Sequence, residues 1–103
     1  MATYTPEDVY DYAVDGDSDK LTIALKVRGN RINWYTDDYG LNALHWAISN
    51  EHHNCIDILI NSGIDVNCKT KTNYAALDFA ANYGQSNIVE LLLIVKMIVI
   101  KQH

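Results

Sequence analysis

The chain has 103 residues, of which 49% are hydrophobic, and a net charge of −5. This length predicts one domain with a modest core. Residues 1–19 contain six acids and no base, whereas the remainder is nearly balanced. Such an acidic leading segment disfavours nucleic acid as a partner. It is compatible with a basic protein partner, although a solvated surface is the simpler interpretation.

Cysteine usage and the first residues bear on the compartment. Cys55 falls on an apolar helix stripe and Cys68 in a polar connection, so the two do not form a disulfide framework and predict a reduced compartment. Residues 1–7 contain no basic segment and no apolar run, so no secretory signal is predicted. No asparagine begins a glycosylation motif. We therefore expect a cytoplasmic chain, with the nucleus as the alternative.

The first predicted unit is a pair of helices. Thr5 can cap the first helix, Pro6 suits its first position, and the two acids that follow favour the positive end of the helix dipole. Residues 16–19 interrupt the apolar pattern and cap a second helix. That helix ends at Gly29, where glycine supplies a left-handed cap.

The same organisation recurs twice. Helices are predicted near 42–50 and 54–61, with a stop at Gly63, and again near 75–83 and from 87 onward. Equivalent apolar residues are 33 positions apart in the second and third units. They are Leu44 and Leu77, Ala47 and Ala80, Ile56 and Val89, and Leu59 and Leu92. A fixed period in this range predicts stacked helix pairs rather than one irregular core.

Two segments resemble a known family. Residues 42–47, Asn-Ala-Leu-His-Trp-Ala, resemble the Thr-Pro-Leu-His-x-Ala motif of ankyrin repeats, and residues 63–67 resemble the family's Gly-Ala-Asp-Val-Asn ending. The resemblance covers residues 5 to about 95 and implies an all-α ankyrin-repeat solenoid of antiparallel helix pairs joined by β-hairpin-like loops. The implied organisation is a single domain, 1–103, with repeats at about 5–36, 37–69 and 70–97 and an apolar tail at 94–103.

The third unit departs from the family pattern at two positions. The family histidine, which hydrogen-bonds backbone between adjacent hairpins, is present as His45 but is replaced by Asp78. The resemblance therefore implies a structural role for His45 and weaker ordering of the loop after the third helix pair. Lys96 stands where the period places the glycine stop.

The tail after residue 88 is unusually apolar, since eleven of the thirteen residues from 88 to 100 are apolar. This run is too short to span a membrane, which takes ~20 apolar residues. The helix could continue and fold onto the second unit, it could contact a partner or a second copy, or the chain could be the front of a longer array. The residues predicted to self-associate are Ile94, Met97, Ile98, Val99 and Ile100.

Two apparent metal sites fail on their spacing. Asp15 to Asp19 imitates the start of a calcium-binding EF-hand loop, but the positions that need glycine and glutamate are Lys20 and Lys26. His52 and His53 are adjacent and have no second cluster to complete four zinc ligands, so they are interpreted as loop or surface residues. No catalytic motif is present. We expect no enzyme activity, no cofactor and no metal.

The family resemblance also implies a binding surface, on the hairpin tips and the exposed side of each first helix. Tyrosine suits such a surface because it offers a large contact area with few rotatable bonds. Large aromatics at Trp34, Trp46 and Phe79 are expected to be structural. The predicted partner-binding residues are Asp38, Tyr39, Leu41, Ser49, Asn50, Lys71, Tyr74, Asn82 and Tyr83.

The leading functional hypothesis is a non-enzymatic protein-protein interaction module, a small adaptor or regulator, with no membrane or nucleic-acid partner. The alternative is a structural assembly subunit, or the front of a longer array, that associates through the apolar tail.

Overall fold

The computed structural model describes residues 3–28 and 34–101, with side chains as far as Ile98. Within these ranges the only regular secondary structure is helical, with no strand. The predicted stop at Gly29 lies outside the described residues. The helices are α1 (Pro6–Asp15), α2 (Ser18–Arg28), α3 (Ala43–Ser49), α4 (His53–Asn61), α5 (Ala76–Asn82) and α6 (Ser86–Lys101).

Local hydrogen bonds explain where the first two helices begin and end. The Thr5 hydroxyl accepts from the Asp8 amide at 3.0 Å, and the Asp8 carboxylate accepts from the Thr5 amide at 2.9 Å, which completes a capping box. Gly16, with φ of +77°, ends α1 in the left-handed conformation. The Asp17 carboxylate then accepts the Lys20 amide at the start of α2. These boundaries match those predicted from the sequence.

The helices form two layers. α1, α3 and α5 pack side by side in the first layer, and each second helix packs against the first helix of its own unit. α2 and α4 also pack together in the second layer. One apolar cluster runs through all three units, from Val9 to Leu92. Completely buried residues such as Leu44, Ile56 and Leu59 each contribute about 1.5–3 kcal/mol through burial.

The loops between units form two equivalent turns. The Asp37 amide donates to the Leu41 carbonyl at 2.9 Å, and 33 residues later the Thr70 amide donates to the Tyr74 carbonyl at 2.8 Å. Gly40 and Asn73 occupy the same left-handed position, with φ of +81° and +70°. The two hairpins are joined by a hydrogen bond of 3.0 Å from the Lys71 amide to the Tyr39 carbonyl. The predicted hairpin-like loops are therefore confirmed.

The third unit ends differently from the second. α4 ends at Asn61, but α6 continues seven residues past the equivalent residue, Ile94. Ile88 and Leu92 are buried against the core and Val95 is partly buried there, whereas the other side of the helix is exposed. Of the predicted self-association residues, Val99 and Ile100 have side chains outside the described residues. No helix in the described part of the chain is long and apolar enough to cross a membrane.

We expect Gly40→Ala to destabilise the protein more than Gly63→Ala. Both glycines have a left-handed φ, +81° and +87°, so both substitutions incur a similar backbone strain of roughly 1–2 kcal/mol. Only at Gly40 would the new Cβ meet neighbouring backbone, 2.9 Å from the Lys71 amide nitrogen. Urea unfolding of the two variants measures the difference, and equal losses of stability would contradict tight packing between the hairpins.

Candidate functional site

The predicted partner-binding tyrosines are all on the surface. Tyr39, at the tip of the first described hairpin, is 73% exposed, Tyr74 is 50% exposed and Tyr83, at the end of α5, is 52% exposed. Asp38, Asn50, Lys71 and Asn82 are exposed as well, whereas Leu41 and Ser49 are half-buried. Seven of the nine predicted residues are thus freely accessible to a partner in the described structure.

His45 holds the second hairpin region against α3. Its Nδ1 accepts the Asn42 amide at 3.0 Å, and its own amide donates to the Asn42 side-chain oxygen at 3.0 Å. Its Nε2 lies 3.0 Å from the Cys68 carbonyl oxygen. Since Nδ1 accepts, the proton is on Nε2, which donates to that carbonyl. The side chain is therefore a neutral, buried hydrogen-bonding bridge, in line with the role that the resemblance implied.

The protonation of His45 is set by its surroundings. Burial lowers the pKa of the imidazole, although the Cys68 carbonyl and the nearby Asp37 charge both favour the protonated form. A second proton would have to sit on Nδ1, where it would displace the Asn42 amide from the capping box. Folding therefore selects the neutral ring.

Asp78 replaces His45 in the third unit and performs half of its role. Its carboxylate accepts the Ala75 amide at 2.8 Å, just as His45 accepts the Asn42 amide. Ala75 has no side-chain oxygen to return the hydrogen bond, and an aspartate is shorter than a histidine. Of the two hydrogen bonds that cap α3, only the one to the residue-78 side chain therefore has a counterpart at the start of α5.

Asp37 is a polar junction that no sequence motif indicates. Its Oδ2 accepts from the Tyr10 hydroxyl at 2.7 Å and from the Trp46 indole at 2.9 Å. Its Oδ1 accepts the amides of Tyr39 and Leu41, both at 3.0 Å. This one carboxylate thus joins α1, α3 and the turn that carries Tyr39.

The hydrogen bonds decide the charge state of this junction. Burial by itself raises the pKa of the Asp37 carboxyl, but the donors from Trp46, Tyr10, Leu41 and Tyr39 outweigh it and hold the pKa below the ordinary value. Burial, followed by the hydrogen bond and charge of Asp37, raises the pKa of Tyr10. Asp37 is therefore ionised, and Tyr10 keeps the proton that it donates.

Three large aromatic side chains, Trp34, Trp46 and Phe79, are partly buried. Trp34 and Phe79 are partly buried against the core. The Phe79 ring lies between two others, with centroids 5.3 Å from His45 and 6.0 Å from Tyr74. Trp46 is half-buried, with its indole N–H held by Asp37. The three aromatics that were expected to be structural thus have packing or hydrogen-bonding roles.

A second set of hydrogen bonds joins neighbouring units at the starts of the second helices. The His52 Nδ1 donates to the Ala13 carbonyl at 3.2 Å, and Gln85, 33 residues later, donates to the Ile48 carbonyl at 2.9 Å. His52 is thus half-buried between units, whereas His53 is exposed as expected. In the sequence, the only sign of this contact is that His52 and Gln85 occupy equivalent positions, 33 residues apart, in successive repeats.

The described residues contain no group of three or more His, Cys, Asp or Glu side chains that could hold a metal ion. The shallow pocket lined by Gly16, His52 and Cys55, among others, has a volume of about 240 Å³. Burial raises the pKa of both the Cys55 and Cys68 thiols, so neither is the thiolate that nucleophilic chemistry needs.

Comparison with known proteins identifies the family. The pattern of ankyrin repeats in three copies matches residues 11–101. The chain belongs to the ankyrin-repeat family. Such repeats are generally protein-protein interaction modules and typically non-enzymatic.

Several larger proteins are similar to this ankyrin-repeat chain. A probable E3 ubiquitin-protein ligase of Oryza sativa subsp. japonica is 30% identical over 80% of this chain and 16% of its own length. NAD-capped RNA hydrolases of Homo sapiens and Macaca fascicularis are each 33% identical over 82% of this chain and 18% of theirs. The chain therefore spans less than a fifth of these relatives.

We expect the free energy of unfolding to decrease as the pH falls from 7.5 to 5. The folded pKa of His45 is lowered, so below the ordinary histidine pKa of about 6.5 the unfolded chain binds a proton that the folded chain excludes. Urea unfolding at several pH values should show a shallower dependence for His45→Gln. The exposed His53 supplies the control, because His53→Gln should keep the wild-type slope; identical slopes in all three proteins would contradict this role.

We expect Asp37→Asn to destabilise the protein by about 1–3 kcal/mol, because an amide nitrogen cannot accept the hydrogen bonds that one carboxylate oxygen accepts. Asp38→Asn removes the same charge from an exposed neighbour and should change stability by no more than ~0.5 kcal/mol. Thermal unfolding of both variants tests the junction. If the two variants lose the same amount of stability, the charge of these residues, rather than the hydrogen bonds of Asp37, stabilises the turn.

Proposed function

We propose that this chain is a non-enzymatic adaptor that binds a protein partner through the tyrosine surface, defined as Tyr39, Tyr74 and Tyr83 with their polar neighbours. The observation that carries the proposal is the exposure of all three rings, each at least half, beside a helical frame. Tyrosine is enriched among the residues that dominate protein interfaces. The remaining members of the surface are Asp38, Leu41, Ser49, Asn50, Lys71 and Asn82.

The frame beneath these rings supports binding because it reduces the entropy lost on association. Tyr39 is held through its backbone, since its amide donates to Asp37 and its carbonyl accepts the Lys71 amide. Tyr74 closes the next turn through its bonds with Thr70, and its ring lies against Phe79. Because a preorganised surface is already ordered, it loses less conformational entropy when a partner binds.

The spacing of the tyrosines favours an extended partner surface over a small ligand. Tyr74 precedes α5 and Tyr83 follows it, and a helix of seven residues is about 10 Å long. The exposed side chains of this surface carry both signs, with Asp38 and Lys71 at the two hairpin tips. We infer a protein partner with apolar contacts flanked by polar groups, the usual composition of an interface.

The relatives fit this proposal. Each is similar to this chain over less than a fifth of its own length, and the similarity to the hydrolase covers only a repeat segment. We infer that the chain shares a recognition module with those proteins rather than their ligase or hydrolase activity. The cytoplasm, with the nucleus as the alternative, is the proposed compartment, supported by the free thiols of Cys55 and Cys68.

The second candidate function is a structural assembly subunit that associates through α6. The exposed apolar side of that helix favours it. The two functions use different surfaces and can coexist.

The tyrosine surface is tested by affinity capture from native lysate, followed by mass spectrometry. We expect Tyr39→Ala, Tyr74→Ala and Tyr83→Ala, combined in one variant, to lose the specific partner by more than ~100-fold, because hot-spot residues contribute 2 kcal/mol or more each. Circular dichroism should show an unchanged fold, since the rings are exposed.

A matched control is available on α2, where Ile23 and Val27 are similarly exposed. Their replacement by alanine removes apolar surface in the first unit and should leave capture intact. If the tyrosine variant captures the same proteins as the wild type in equal amounts, the proposed surface is wrong.

A further inference from the structure

The exposed side of α6 forms an apolar stripe, defined here as Leu93, Ile94, Met97 and Ile98. Each side chain is about half exposed, between 47% and 57%. They lie three and four residues apart, so they share one helix face. The opposite side, with Ile88 and Leu92, is buried in the core. An unpaired apolar stripe on a surface helix marks an interface.

A fourth repeat stacked in register would cover only part of this stripe, since Ile60, the equivalent of Leu93, is partly buried but Asn61, the equivalent of Ile94, is exposed. The second unit turns back at Gly63 into the hairpin that leads to the third, and Ile64 is buried there. The third unit makes no such turn, because α6 runs on to Lys101 and the equivalent residue, Met97, is exposed. The backbone that would carry a hairpin toward the next unit is helical instead.

The repeat period gives a second argument against that occupant. Ile94 is equivalent to Asn61, which stays exposed although the third unit follows the second in the stack. A further unit in the same register would leave Ile94 exposed in the same way. An occupant of the whole stripe must therefore lie along α6 itself, as another helix would.

We propose that the apolar stripe pairs with the same stripe of a second copy of this chain, with the two α6 helices antiparallel across a two-fold axis. Such an interface requires one patch to be complementary to itself. Here the apolar residues are in the middle of the exposed face, and Glu90, which is also exposed, is at its start.

The antiparallel register also sets positions of opposite charge in the sequence against each other. A crossing point near Val95 would set Leu93 and Ile94 of one copy opposite Ile98 and Met97 of the other. The same register brings Glu90 alongside position 101 of the second copy, where the sequence has a lysine. A parallel pair would instead bring the two Glu90 carboxylates together, which is unfavourable.

The charge distribution of the whole chain favours contact through the third unit. The six acids of residues 1–19 belong to the first unit. Among the described helices this unit lies at the opposite end of the order α1, α3, α5 from the third unit. Because the second unit lies between the first and the third in this order, pairing through α6 keeps the two acidic segments at opposite ends of the dimer, where salt screens their repulsion. Pairing through Ile23 and Val27 of α2 would bring them together.

Four half-exposed side chains from each copy make a small interface, which sets the expected affinity. The largest apolar patch on a typical monomer is about 300–600 Å², and a stable interface buries about 800 Å² per partner. We therefore expect a reversible dimer with a dissociation constant in the micromolar range, about 1–100 μM.

Sedimentation equilibrium of the full chain, from about 1 to 300 μM, spans that range. We expect the wild type to dimerise and the Ile94→Glu, Ile98→Glu variant to bind itself at least ~10-fold more weakly, because two buried charges replace apolar contacts. The Ile23→Glu, Val27→Glu variant makes the same change at equally exposed residues on α2 and should dimerise like the wild type. Circular dichroism establishes that each variant is folded.

The register is tested by charge exchange, which leaves the apolar stripe intact. Glu90→Lys should weaken the dimer, and adding Lys101→Glu should restore it. If wild-type and Glu90→Lys chains bind each other more tightly than either binds itself, the helices are parallel and the antiparallel arrangement is overturned, because only a parallel pair would then set position 90 of opposite charge side by side. A wild-type chain that stays monomeric at every concentration, or a dimer that only the α2 variant disrupts, would overturn the proposal. None of these results bears on the tyrosine surface.

Discussion

The buried hydrogen-bonding bridge at His45 is the interaction on which the rest of the structure depends. One imidazole caps α3 through Nδ1 and holds the Cys68 carbonyl through Nε2. Because both nitrogens are used, the ring has one tautomer and one charge state. It thereby fixes the connection that leads from the second unit to the third, and with it the hairpin that presents Lys71 and Tyr74.

The two proposed surfaces arise in different ways, the hairpin tips from the repeat itself and the α6 face from a departure from it. At the first hairpin tip, the backbone of Tyr39 makes its hydrogen bonds to Asp37 and to the next turn, which leaves the side chain exposed. α6 presents an apolar face because it continues where α4 stops. A regular repeat would have replaced that face with a turn, so the departure from the period, rather than the period itself, creates the second surface.

Neighbouring acids show why a sequence pattern reaches only part of such a site. Asp37 and Asp38 are chemically identical and adjacent, yet Asp37 accepts four hydrogen bonds while Asp38 is exposed. The difference comes from Tyr10 and Trp46, which are 27 and 9 residues away along the chain. Likewise, His52 and His53 differ because only His52 reaches the Ala13 carbonyl.

The sequence by itself determined the helical units, their caps and their 33-residue spacing, because capping and apolar periodicity are local properties of the chain. Thr5 and Gly16 could be read from their immediate neighbours. Only the tertiary structure decided which polar side chains join the units and which apolar residues of α6 remain exposed. Those outcomes depend on distances between residues that are far apart in the chain, and only the packing of the helix layers sets those distances.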